Sequence, residues 1–227
     1  MKYIWVMIFF LSLFQPTQAQ KDSSGYREVS FGMKAGFLSG SLYGKDLHLL
    51  SAGGYVKPLP GIFAGITIQS RLGKYFGLQS ELSIGQSAVM LHLLDSNSNQ
   101  LYNSRFKSTY LVIAPITPTL YFHGFRLSAG PYVSGLLHSS VEYKNQDGQI
   151  SADKSIFGTA TSPGKFRYKI DAGIALQLRY EFKNGWNLGA AYTRGFIPVI
   201  EDPRVQHQWK IYNQQFNLFL GYQWRKR

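Results

Sequence analysis

Ile170-Asp171-Ala172-Gly173-Ile174-Ala175-Leu176-Gln177-Leu178-Arg179-Tyr180-Glu181-Phe182 sorts its side chains with a period of two. Ile170, Ala172, Ile174, Leu176, Leu178, Tyr180 and Phe182 share one face, and Asp171, Gly173, Gln177, Arg179 and Glu181 share the other. Successive side chains of a strand point to opposite sides of its sheet, so this is a strand with one apolar and one polar face. Lys183-Asn184-Gly185 follows, and its Asn-Gly pair is expected to supply the positive φ angles of a tight hairpin. Beyond the turn, Trp186, Leu188, Ala190 and Tyr192 alternate with Asn187, Gly189, Ala191 and Thr193.

The same alternation recurs along the chain. Residues 29–38 set Val29, Phe31, Met33, Ala35 and Phe37 against Ser30, Gly32, Lys34 and Gly36. Residues 62–71 and 76–90 form a second hairpin, with Ile62, Ala64, Ile66, Ile68, Phe76, Leu82 and Ile84 opposite Gln69, Arg71, Gln79, Glu81 and Ser83. Residues 110–122 and 126–143 meet at His123-Gly124, and residues 211–224 close the series. The fourth segment is irregular because Pro115 and Pro118 interrupt backbone donation, the mark of an edge or a bulge. Long polar links are expected at residues 39–60, 93–108, 144–165 and 197–210, with short turns between them. Segments long enough to cross a bilayer, joined by alternating short turns and long loops, predict an all-β fold: an eight-stranded antiparallel up-and-down transmembrane β-barrel.

Which face is apolar decides between two inside-out barrels. A soluble lipocalin-like carrier would set Lys34, Arg71, Glu81, Asp171, Arg179 and Glu181 against an apolar ligand, at high cost unless they are paired. In a narrow lumen they pair with one another and stiffen the barrel, so the greasy face is expected to meet lipid. Phe76, Phe122, Phe182, Trp186, Tyr222 and Trp224 lie next to turns or at a strand end, where an interfacial aromatic girdle belongs. The four long loops are then outside the cell, and both ends of the mature chain are periplasmic.

Residues 1–19 have the form of a secretory leader: Lys2, an apolar run over 4–14, Pro16, and a small residue at Ala19. Residues 20–28 are expected to be a periplasmic segment, 29–224 the barrel and 225–227 a basic tail. Cysteine is absent, which excludes disulfides, thiolate metal sites and a cysteine nucleophile. The formal charge of +12 would by itself permit nucleic-acid binding, but export makes that partner a poor one. In the outer membrane the natural anionic neighbours are lipid and lipopolysaccharide phosphate, which Lys and Arg of the loops can hold by charge-assisted hydrogen bonds.

Catalysis has little support. Ester hydrolysis of lipid A needs a serine, a histidine base and an orienting acid, and the one local grouping is His138, Ser140 and Glu142, phased here onto the lumen face, away from lipid esters. His48, His92, His123, His138 and His207 are scattered and form no metal motif, so neither a metal nor a cofactor is expected.

Phe31-Gly32-Met33-Lys34-Ala35-Gly36, Gly61-Ile62-Phe63-Ala64-Gly65, Tyr110-Leu111-Val112-Ile113-Ala114-Pro115, Ala129-Gly130-Pro131-Tyr132-Val133, Asp171-Ala172-Gly173 and Leu220-Gly221-Tyr222-Gln223-Trp224 follow one another along the chain. Taken in order, these stretches resemble the PorT-like outer-membrane β-barrel family over essentially the whole mature chain. The resemblance implies membrane insertion, and some relatives act in protein secretion, so an envelope or secretion-complex protein is a further partner class. Family members usually end on an aromatic residue, whereas here Arg225-Lys226-Arg227 follows Trp224.

Overall fold

The computed structural model describes residues 28–94, 101–144, 150–153, 170–202 and 207–225. The proposed leader and most of the segment after it lie outside the described residues, as do Lys226 and Arg227. Eight long strands form the wall: β1 (Glu28–Gly44), β2 (Val56–Arg71), β3 (Phe76–Leu94), β4 (Leu101–Phe122), β5 (Phe125–Lys144), β6 (Ile170–Glu181), β7 (Trp186–Gly195) and β8 (Ile211–Arg225). Each pairs antiparallel with its neighbours in sequence, and β1 pairs with β8 from Ser30↔Arg225 to Gly44↔Ile211, so the sheet closes on itself. Closure leaves no edge along the wall, a requirement for strands in lipid. The residue read as the start of a basic tail, Arg225, is still paired within β8.

Three short turns at one end (the turn end) join β2 to β3, β4 to β5 and β6 to β7; the other end is the loop end. At the turn end His123 and Gly124 have φ of 47° and 87°, the positive pair of a two-residue hairpin turn. The Asn184-Gly185 turn differs from expectation, since only Gly185 has a positive φ. Asn184 instead accepts a hydrogen bond at Oδ1 from the Trp186 amide, 3.3 Å away, as turn asparagines do.

Near the turn end the apolar face of every strand is outside. Val29, Phe31, Met33 and Phe37 of β1, Ile62, Ile66 and Ile68 of β2, and Leu176, Leu178 and Leu188 of β6 and β7 are exposed, while Lys34, Gln69, Gln177 and Arg179 are buried inside. Toward the loop end the alternation inverts. Leu42, Val89, Leu91, Phe106, Val141 and Ile211 turn inward and are buried, and their strand neighbours Ser41, Met90, Arg105, Lys107 and Glu142 face out. Apolar-out is the rule for strand in lipid; apolar-in is the rule for strand in water around a core.

This inversion explains why residues 39–44, 56–60 and 101–108 resemble polar loops in sequence yet are strand. The links are shorter than expected, and the first of them carries a one-turn helix α1 (Leu47–Leu50). Short strands at Ile150–Asp153, paired with β5, and at Ile200–Asp202 and His207–Trp209, paired together, occupy parts of the other links.

Prolines mark register shifts. In β2 the shift falls between Leu59 and Ile62, at Pro60-Gly61, and in β4 it falls around Pro115-Ile116. Ser80 Oγ donates to the Pro115 carbonyl at 2.5 Å, satisfying an acceptor that the bulge withdraws from the ladder. The bulge restores phase, so that Ile113 and Ile116 both face out while Ala114 and Thr117 face in. The irregular fourth segment is therefore one continuous strand.

Candidate functional site: a closed lumen beneath a polar rim

Lys34, Glu81, Asp171, Arg179 and Glu181 all occupy the inner face and are largely or wholly removed from solvent. Lys34 Nζ meets Glu81 at 2.8 Å and lies 4.5 Å from the centre of the Phe219 ring. Arg126 pairs with Glu181 and also donates to Gln69 Oε1. Gln79 joins the two groups: its Oε1 accepts from Gln69 Nε2 at 3.1 Å and from Arg179 Nη2 at 2.9 Å, and its Nε2 donates to Gln177 Oε1 at 3.2 Å. Asp171 stands apart, nearer the loop end, and accepts from the Tyr132 hydroxyl at 3.0 Å. Three arginine and lysine side chains (Lys34, Arg126, Arg179) face three carboxylates (Glu81, Asp171, Glu181), so the described interior balances its charge. Lys34–Glu81 and Arg126–Glu181 are direct pairs, whereas Asp171 and Arg179 are held by neutral hydrogen-bond partners, and burial of charge is costly without one or the other.

Arg71 is separate from this network. Its guanidinium donates to the Gly73 carbonyl at 3.1 Å and the Lys74 carbonyl at 2.8 Å, and stacks 5.2 Å from the Tyr121 ring centre, so it braces the β2–β3 turn. Sequence reasoning put the glutamines 69, 79, 177 and 223 on the polar face without assigning them to the network, and it passed over Arg126. Strand parity was the available signal, since Arg126 shares the face of Ser128 and Tyr132.

The lumen is not polar throughout. Leu38, Phe63, Ala191 and Phe219 form a small apolar cluster beside Lys34, and a larger one closes the loop end. Leu42, Leu50, Val89, Leu91, Phe106, Val141, Val199 and Ile211 pack there as a stopper, with Leu50 delivered by α1 and Val199 by the chain after β7. The lid is latched by backbone and side-chain hydrogen bonds. The His92 amide donates to Ser51 Oγ at 3.0 Å, Ser51 Oγ donates to the Tyr55 carbonyl at 2.5 Å, and the Lys210 amide donates to Asp46 Oδ2 at 2.8 Å. Between stopper and charge network lies a cavity of ≈ 60 Å³ bordered by Lys34, Glu81, Tyr132, Asp171, Gln177 and Asn217. That is room for about four water molecules, too little for an organic solute.

His138, Ser140 and Glu142 share a face, but it is the outer one. The register shifts between Thr109 and Tyr110 on β4, with Thr109 opposite His138 and Tyr110 opposite Leu136. Leu137 is the extra residue, and Leu137 and His138 are both exposed, which reverses the phase of all that follows. Glu142 is held by Lys107 at 2.5 Å, and among the described residues no hydrogen bond joins His138 to Ser140 or to Glu142. No group of His, Asp and Glu able to hold a metal occurs among the described residues.

Phe76, Phe122, Phe182, Trp186 and Trp224 are exposed at the turn end, with Tyr222 half-buried beside them. All of these but Phe76 join in two series of touching rings: Phe122 on Phe125, Phe125 on Tyr180 and Tyr180 on Phe182, then Trp186 on Tyr222, Tyr222 on Trp224 and Trp224 on Phe31, with centroids 4.9–5.8 Å apart. Edge-to-face and offset contacts of this kind add to the amphipathic preference of each ring for a membrane interface. Phe31 and Tyr180 were read only as part of the apolar faces because they lie inside the strands, and Phe125, the first residue of β5, was left in the turn.

Solved structures to which the chain is similar include Ail of Yersinia pestis in complex with the heparin analogue sucrose octasulfate. It is 13% identical, covers 87% of this chain and 99% of its own, and has a TM-score of 0.44. Neisserial surface protein A is 10% identical over 86% of this chain and 97% of its own, with a TM-score of 0.45. OprG from Pseudomonas aeruginosa is 12% identical over 89% and 99%, with a TM-score of 0.42. No curated protein matches the sequence. The model of the outer membrane protein beta-barrel domain matches residues 18–201, and the chain belongs to that family of outer-membrane barrels.

Proposed function

We propose that the protein is a non-enzymatic outer-membrane scaffold with a closed lumen, which presents its loop end to a surface glycolipid or to an envelope protein. The observation that carries this reading is the double closure, by an ion-pair network toward the turn end and by the Leu50-bearing stopper at the loop end. A barrel built to pass solutes has no use for both. Beyond the apolar belt the outward faces of β2, β4 and β5 carry Lys57, Arg105, Lys107, His138, Ser140 and Glu142, polar groups of the kind a surface that meets headgroups or a partner requires. The turn end then faces the periplasm and carries both mature termini, the usual sense of a barrel with short turns on one side. The resemblance to PorT-like proteins makes a secretion complex the first protein partner to seek.

The test is electrical and biochemical. Purified barrel in planar bilayers is expected to give no steady conductance, and capture of the intact protein from solubilised membranes is expected to bring an envelope component with it. Sustained ohmic current through the wild-type barrel would overturn the scaffold reading.

A further inference from the structure

Lys57 of β2, Met90 of β3, Arg105 of β4 and Glu142 of β5 lie on one row across the wall, with pairings Lys57↔Met90, Met90↔Arg105 and Arg105↔Glu142. All four face outward, beyond the apolar belt. Strands lie about 4.8 Å apart, so the backbones of Lys57 and Arg105 are about 10 Å apart with Met90 between them. Long side chains of both can converge over the half-buried methionine. One row nearer the belt, Lys107 adds a third cation on the strand of Arg105, and Glu142 takes part of its charge at 2.5 Å. Neither Lys57 nor Arg105 has an anionic partner among the described residues.

The same strands run down into the belt. Below Met90 comes Ala88, outward-facing yet only 5% exposed, a small residue covered by its neighbours, with Leu59 and Lys107 on either side. Below that the outward residues are Gln86 and then Ile84, with Ile62 alongside, and both isoleucines are well exposed. From Ile62 to Lys57 is about four ladder steps, roughly 13 Å along the strand and about 10 Å along the normal at the usual barrel tilt. The headgroup layer is about 5–8 Å deep, and a lysine or arginine leaning toward it reaches that layer while its stem covers apolar surface.

We propose that this outer face of β2, β3 and β4 binds a phosphorylated glycolipid of the lipid A type, its phosphate held by Lys57, Arg105 and Lys107 and an acyl chain lying against the exposed Ile62 and Ile84. The continuity of a cationic row with the belt selects such a ligand, because a lipid supplies an anion and a hydrocarbon chain at that spacing. Arginine contributes a planar fork that matches phosphate oxygens, and the lysines add point charge. The inference rests on the reading that the loop end is the outer-leaflet side.

The experiment uses the full barrel in phosphatidylcholine nanodiscs, titrated with bisphosphorylated lipid A, with binding read by native mass spectrometry. The Lys57→Gln/Arg105→Gln variant is expected to bind at least tenfold more weakly than wild type, and a Lys74→Gln/Lys183→Gln variant at the turn end to bind unchanged. Enzymatically dephosphorylated lipid A is expected to lose the same factor on wild type. Heat-modifiable migration of each variant verifies that it is folded. Equal binding by wild type and the Lys57/Arg105 variant overturns the assignment, as does equal competition by phosphatidylglycerol, which would mean a general anionic surface. Conductance of the same purified barrel in planar bilayers separates the two readings: a silent barrel that binds no lipid A refutes the site alone, whereas a conducting one refutes the scaffold.

Discussion

Replacing Glu81 by glutamine keeps the shape of the side chain and removes the charge opposite Lys34. Lys34 is 5% exposed and its ammonium is 2.8 Å from the Glu81 carboxylate. At that distance, with an effective dielectric constant near 20, the lost attraction is about 6 kcal/mol. Part is offset, because an amide oxygen still accepts from Nζ and the Phe219 ring remains 4.5 Å away. The net cost expected is about 3–5 kcal/mol, the range for a buried pair that loses one member. That corresponds to roughly a hundredfold to a few thousandfold in the unfolding equilibrium. Lys34→Met is expected to cost less, since Glu81 borders the water-sized cavity and keeps Gln79 Nε2 at 3.4 Å. The double variant removes both charges and should lie well above the sum of the singles, with a coupling of about 2 kcal/mol or more. Urea unfolding in phospholipid vesicles, followed by the mobility of unboiled samples, measures all four proteins. Additive losses, or a Glu81→Gln cost under about 1 kcal/mol, would refute the description of this pair as a desolvated internal tie.

Three further outcomes follow from the geometry. Ile66→Arg places a charge on the lipid face of β2, where Ile66 is 42% exposed, and should cost about 2–4 kcal/mol in the same assay; an unchanged midpoint would contradict that facing. Gly36→Ala would put a Cβ 2.0 Å from the Leu218 carbonyl oxygen and should weaken the β1–β8 pairing, whereas Gly135→Ala meets nothing within 4 Å and should leave mobility and unfolding unaltered. Leu50→Ala withdraws the α1 side chain from the stopper, and a loss of about 2–4 kcal/mol local to the lid should appear as faster proteolysis at residues 45–55 with the barrel band intact.

The β6–β7 hairpin was open to reading because both strands lie almost wholly within the apolar belt, where one rule of alternation holds from end to end. β1 to β5 obey two rules, one below and one above the membrane boundary, and the change of sign at Phe37-Leu38 cancels the periodic signal just where the strand continues. The position of His138 was missed for a related reason: a single extra residue at Leu137 turns its side chain from the lumen to the outside, and no local composition announces such an insertion. Pro115 did announce its bulge, whereas Pro60 was read as the end of a polar link. The charged interior was visible as residues in phase on separate strands, but their partnerships depend on the ring being narrow enough for Gln79 to reach Gln177 across 98 positions of sequence. The stopper was hidden most completely, since Leu50 and Val199 come from links that carry no periodicity.

The seam between β1 and β8 bears on how the barrel assembles. Every other neighbouring pair is a hairpin or a near neighbour in sequence, but Ser30 and Gln223, which share a hydrogen bond at 3.1 Å, are 193 positions apart. Bringing such distant ends together carries a loop-closure entropy about 3–4 kcal/mol greater than closing a short turn. The seam is therefore the last ladder to zip, and until it does the nascent sheet is an open ribbon with two bare margins. Phe31 stacked on Trp224 at 5.8 Å, and the Gln223 amide on Ser30, place side-chain contacts at the turn-end extremity of that joint. Once engaged there, the two strands have a fixed starting register from which the remaining pairs can close in order toward Gly44 and Ile211.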